Sequence, residues 1–147
     1  MAGGAGTSNA SSSLFKSIAF LYLLFVTFTA SLQADERQTE SYHAGILHPD
    51  GVDIIGYTNE TKIENHIYRF YTFGFPSLAA VGINFYADYY DNGINANIGV
   101  GVGTVAYASL NYRWVLHQRN KFRFGAGFMT GVAYTGWYPV ISYETNF

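Results

Sequence analysis

The sequence predicts an all-β fold, a small antiparallel transmembrane β-barrel of eight strands, and three observations carry that prediction. The first is compositional: of 147 residues, 49% are hydrophobic and 18% aromatic, but only 12% are charged. A soluble domain carries about 25% charged residues, so this chain has roughly half the charge that a surface facing water on all sides requires. The second is residue choice. Thirteen Tyr, twelve Phe and 16 Gly stand against three Pro, an enrichment in strand formers and in the residue that permits close backbone approach. The third is a period of two in hydrophobicity, sustained over runs of about ten residues. Lipid tolerates only helices and closed sheets, because every backbone polar group must find a partner inside the structure.

Residues 1–34 read as a signal peptide with a polar leader. The stretch Ile18–Ala30, IAFLYLLFVTFTA, holds thirteen residues without a charge and follows Lys16. A spanning helix needs about 20 apolar residues, so this length matches the apolar core of a signal peptide. Cleavage after Ala34 makes Asp35 the first residue of the barrel domain, 35–147. The alternative is an uncleaved single-pass anchor, reached by extending the apolar stretch to Leu14–Leu32 across Lys16.

In the barrel domain the alternation predicts strands at 41–47, 52–57, 66–73, 77–87, 95–107, 109–116, 121–134 and 138–147. It is clearest toward the C-terminus. Leu110, Tyr112, Trp114 and Leu116 share one face, and Asn111 and Arg113 the other. From 121 to 134 the even positions are mostly large and apolar, while the odd ones include Lys121, Arg123 and three Gly. From 138 to 147, Pro139, Ile141, Tyr143, Thr145 and Phe147 oppose Ser142, Glu144 and Asn146. Connections are expected at HPDG (48–51), TNETKIEN (58–65), GFPS (74–77), DYYDNG (88–93), HQRN (117–120) and TGW (135–137), with a tight turn near Ala108. The alternative architecture is a six-stranded fragment, or a barrel completed by another chain.

The run from Tyr138 to Phe147 resembles the last strand of the small bacterial outer-membrane β-barrel proteins, which alternates apolar residues and ends in an aromatic. The resemblance implies that Tyr143 and Phe147 form an insertion signal read by the barrel-assembly machinery, and it implies no reaction. The run GAGFMTGV at 125–132 is similar to a glycine-rich strand of the lipid A palmitoyltransferases of the outer membrane. The surface His, Asp and Ser of those enzymes have no matched positions here.

Three sets of residues carry candidate chemistry. His48, Asp50 and Ser77, with His43 and Asp53 nearby, supply the parts of a Ser-His-carboxylate arrangement for acyl transfer or ester hydrolysis. The competing reading is structural, because Pro-Asp-Gly is a common turn solution and Ser77 follows Pro76. No spacing of His43, His48 and Asp50 matches a zinc pattern, so neither metal nor cofactor is expected. The second set is Arg113, Arg123 and Glu144, which the alternation turns inward as an ion network plugging the lumen. An unpaired charge on the lipid face would cost about 2–4 kcal/mol at mid-bilayer. The third set, Tyr107, Trp114, Tyr134, Trp137 and Tyr138, is expected as interfacial girdles near the two ends.

With no Cys and a formal charge of −2, disulfide scaffolds, thiolate chemistry and nucleic-acid binding are disfavoured. The expected role is structural or adhesive and non-catalytic, in a bacterial outer membrane, with membrane lipid as partner. The rivals are a lipid-modifying acyltransferase or deacylase, and a secreted soluble β-sandwich or lipocalin-like binder whose greasy faces form a core.

Overall fold

The computed structural model describes residues 38–147 apart from 103, 118 and 132. The chain divides into two units, 1–35 and 36–147, and the expected signal peptide at 1–34 lies outside the described residues. The second unit is a closed antiparallel barrel of eight strands in chain order: β1 (Gln38–His48), β2 (Asp53–Glu64), β3 (Ile67–Phe75), β4 (Leu78–Tyr86), β5 (Gly93–Gly101), β6 (Thr104–His117), β7 (Asn120–Gly131) and β8 (Thr135–Asn146). Closure is made by β8 against β1, with Ser41 opposite Asn146 and Ala44 opposite Tyr143. A closed sheet leaves no unpaired edge, and all eight strands belong to this chain, so neither a six-stranded fragment nor completion by a second chain describes it.

Successive side chains of a strand point to opposite faces, and here the two faces are sorted by polarity. Tyr42, Ile55, Phe73, Phe85, Ile98, Leu110, Phe124 and Ile141, one from each strand, are exposed on the outside. His43, Thr58, Thr72, Asn84, Asn97, Arg113, Arg123 and Glu144, again one from each strand, are buried inside. A lipocalin-like binder with a greasy core is the reverse of this arrangement.

Three boundaries differ from the sequence reading, and one is TGW (135–137), expected as a connection, which is the start of β8 and pairs with Phe128–Thr130 of β7. The segment 58–65, expected as a connection, is mostly strand: β2 runs on to Glu64 and pairs with both β1 and β3. Its polar residues mark a lumen-facing side, with Thr58 and Glu60 inside, rather than a loop. The turn expected near Ala108 is not there: β5 ends at Gly101, and β6, which begins at Thr104, passes straight through Ala108, which sits opposite Ile98 and Phe128.

The β1–β2, β3–β4, β5–β6 and β7–β8 connections gather at what we term the first mouth, and the β2–β3, β4–β5 and β6–β7 connections at the second. The β1–β2 turn does not project. It folds into the barrel, closed by the Val52 amide donating to the His48 carbonyl at 2.8 Å, with Val52 in the left-handed region at φ 57.

Tyr107 and Tyr138, expected in the interfacial girdles, are buried in the lumen, so that assignment is corrected for both. Each follows the alternation of its own strand and faces a glycine across the ladder, Gly99 for Tyr107 and Gly127 for Tyr138. A Cβ at either glycine would collide with the ring. The glycines therefore provide the depth in which a large side chain fits inside so narrow a barrel.

Candidate functional site

The lumen is filled by two joined groups of side chains, and the first is ionic. Glu144 on β8 stands opposite Lys121 on β7 and takes Arg123 Nη2 at 2.7 Å and Lys121 Nζ at 3.2 Å. Arg123 Nη1 lies 3.5 Å from Asp50 Oδ1, and Nη2 donates to the Tyr86 hydroxyl at 3.0 Å. Tyr86 donates in turn to Glu60, which also accepts from Asn84 and, at 3.2 Å, from Tyr89. Charge taken out of water costs several kcal/mol per ion unless it is paired and hydrogen-bonded. The chain Lys121, Glu144, Arg123, Tyr86, Glu60 meets that condition with consecutive partners.

Arg113 takes a different role from the one the sequence implied. It is directly opposite Arg123, and like Arg123 it is fully buried. Its hydrogen bonds go to the carbonyl oxygens of Asp88 and Asp91, and its guanidinium lies 4.4 Å from the Tyr86 ring centroid and 5.2 Å from that of Tyr89. The Tyr86 ring also carries Arg123, at 5.7 Å, so each cation has an aromatic face as a partner beside the other cation. Arg113 thus ties loop 87–92 across the second mouth. In that loop the Asp88 carboxyl accepts from the amides of Tyr90 and Asp91, and these two bonds hold it below its ordinary value. Burial pushes the Tyr89 phenol up.

The second group contains the residues considered for catalysis, and all of them are buried rather than displayed on turns: His48, Asp50 and Ser77 are each at most 3% exposed. The Asp50 carboxylate takes Asn97 at 3.3 Å in addition to Arg123, and its carbonyl accepts from Tyr107. His48 Nε2 is 3.7 Å from Asp50 Oδ2 and 4.0 Å from Glu144 Oε2, with the His43 ring 3.8 Å away between centroids. Ser77 gives its hydroxyl proton and its amide, at 3.2 Å, to Asp53, whose other oxygen is 3.9 Å from His43 Nε2. A serine is activated by a base within about 3.2 Å of its hydroxyl. Here the hydroxyl is committed to a carboxylate and His48 faces Asp50 and Glu144, so the residues share a lumen without forming that arrangement. Among the described residues, no three His, Asp or Glu side chains form a set able to hold a metal ion.

Trp114, Tyr134 and Trp137 are exposed, and the Tyr134 hydroxyl donates to the Trp137 carbonyl at 2.8 Å. Tyr143 and Phe147 are exposed as well, with the Phe147 ring stacked on Tyr42 at 4.9 Å.

Sequence reasoning missed Lys121, Glu60, Tyr86 and Asn84 as members of the network. Lys121 shares the parity of Arg123 and was legible. Glu60 was hidden because its segment read as a loop, and Tyr86 because an inward Tyr looks the same in sequence as an outward one. No protein family, curated protein or solved structure matches this chain.

Proposed function

We propose that this chain is an outer-membrane-type β-barrel with a structural or adhesive role in a bacterial envelope, its lumen closed by polar side chains. The observation that carries the reading is the inverted sorting of the two faces. Every strand presents a large apolar residue outward and a polar or charged one inward, the pattern for lipid outside and a polar interior. So large an apolar surface on a water-soluble monomer would be an association liability. The half-buried polar residues Glu40 and Thr61, on the outward parity of their strands, lie in the parts of β1 and β2 nearer the second mouth, a placement that suits the headgroup depth of a bilayer.

The proposed partners are membrane lipid and the barrel-assembly machinery. The lumen is the ground for a role other than conduction, since its largest fully buried side chains include Arg113, Arg123, Glu60 and Glu144 and they are bound to one another or to the chain. The test is electrophoretic mobility after extraction from membranes: the unboiled protein is expected to migrate faster than the boiled one and to partition into detergent. A protein that remains monomeric in detergent-free buffer would remove the reading.

A further inference from the structure

The two mouths differ in a way that a plugged lumen does not require. The connections at the first mouth contain one charged residue, Asp50, and it is turned inward onto Asn97 and Arg123. The rim there carries Phe75, Leu78, Val102, Tyr134 and Trp137, each at least half exposed. The connections at the second mouth expose His66, Asp88, Asp91 and Arg119 instead. Turns that meet water are ordinarily rich in polar residues, so the first mouth is built for apolar surroundings.

A cavity of about 310 Å³ opens at this mouth, lined in part by Leu47, Val52, Pro76, Ser77, Met129 and Tyr134. Small-molecule sites of roughly 300–1,000 Å³ recur in the mouths of β-barrels. The two polar side chains on the wall are already satisfied, Ser77 by Asp53 and Tyr134 by the Trp137 carbonyl. A polar ligand would give up hydrogen bonds to water and find neither hydroxyl proton free. A hydrocarbon would bury surface against Leu47, Val52 and Met129, which pack on the apolar core cluster.

We propose that the first mouth binds a single hydrocarbon tail, which crosses the apolar rim between Pro76 and Tyr134 and ends against Val52. The rim continues the apolar outer wall, so the tail comes from the lipid around it; that source, though not the site, rests on the membrane reading above.

The test uses the full chain held in an amphipathic polymer, with a brominated fatty acid as probe. Native mass spectrometry is expected to count one retained chain per barrel. Met129→Trp fills the cavity and Ala133→Phe narrows its opening, and each should lose the retained chain. Ile98→Trp, on the outer wall, should keep it. Folding of each variant is read from its unboiled mobility, and because Ala133 is exposed its variant remains informative if Met129→Trp does not fold. Retention by a folded filling variant, or equal loss in Ile98→Trp, overturns the site, as does pairing of two barrels through this mouth in place of probe. A barrel that partitions into detergent but retains no chain sinks the site alone. One that stays monomeric without detergent sinks the membrane reading, and probe retained under that condition would support the site with a soluble source.

Discussion

The two halves of the lumen are filled in different proportions of apolar volume and paired charge. Toward the first mouth an apolar cluster that includes Val52, Ala80, Tyr107, Tyr138 and Val140, with Leu47 and Met129 packed against it, surrounds the buried His48, Asp50, Asp53 and Ser77. Toward the second it is a chain of charges, Lys121, Glu144, Arg123 and, through Tyr86, Glu60, with Arg113 tied to loop 87–92. Backbone and alternation are the same in both halves, so the barrel does not dictate what fills it. The comparison teaches that a narrow lumen can be closed by volume or by neutralised charge, and that the two respond differently to substitution. A packed half fails through a cavity or a clash; a charged half fails when one ion loses its partner.

The charged half should give the largest effect. Glu144→Gln leaves Arg123 and Lys121 without their main counter-charge, and removing one partner of a buried set costs about 3–5 kcal/mol. Adding Arg123→Gln should recover part of the loss, because the excess charge goes with the attraction. Urea unfolding in detergent reads both. If the double variant is no better than the single one, the network is not held by charge and the contrast between the halves dissolves.

In the packed half the corresponding change is one of volume. Gly127→Val drives a side chain into the Tyr138 ring, and overpacking of this kind costs about 1–3 kcal/mol. Tyr138→Ala in the same chain should relieve the clash, whereas it should do nothing for Glu144→Gln. Smaller still is Ser77→Ala, at about 1 kcal/mol, since Asp53 keeps the Ser77 amide as a donor. Loss of a lipid modification in that variant, with the fold intact, would instead restore the enzymatic rival.

Two changes should barely register in unfolding. Tyr143→Phe, on the outward face beside Glu144, should stay within about 0.5 kcal/mol. Asp88 concerns the second mouth alone. Its carboxyl is held below 3.8 by the amides of Tyr90 and Asp91, so the order it lends to loop 87–92 is present above that value and lost as pH falls through the lower value of the folded loop. The protection factors of the Tyr90 and Asp91 amides, taken against the intrinsic rate at each pH, should therefore fall in acid and, in Asp88→Ala, be low across the range.

The sequence by itself determined the class of fold and the side to which most residues turn, because a period of two is a local property of a strand and survives without any long-range contact. Arg113, Arg123 and Glu144 were legible as inward for that reason, and Trp114 and Tyr143 as outward. Tyr107 and Tyr138 were misplaced when residue type, an aromatic near a strand end, was allowed to override parity. Only the tertiary structure decided who meets whom inside. Asp50 and Arg123, or Glu60 and Tyr86, are far apart in the chain and become neighbours because the barrel is closed and narrow enough for opposite walls to touch. The inward fold of the β1–β2 turn lies equally beyond local pattern. Pro-Asp-Gly specifies a turn, but whether the turn faces water or the lumen depends on what the other strands offer it, here Asn97, Tyr107 and Arg123.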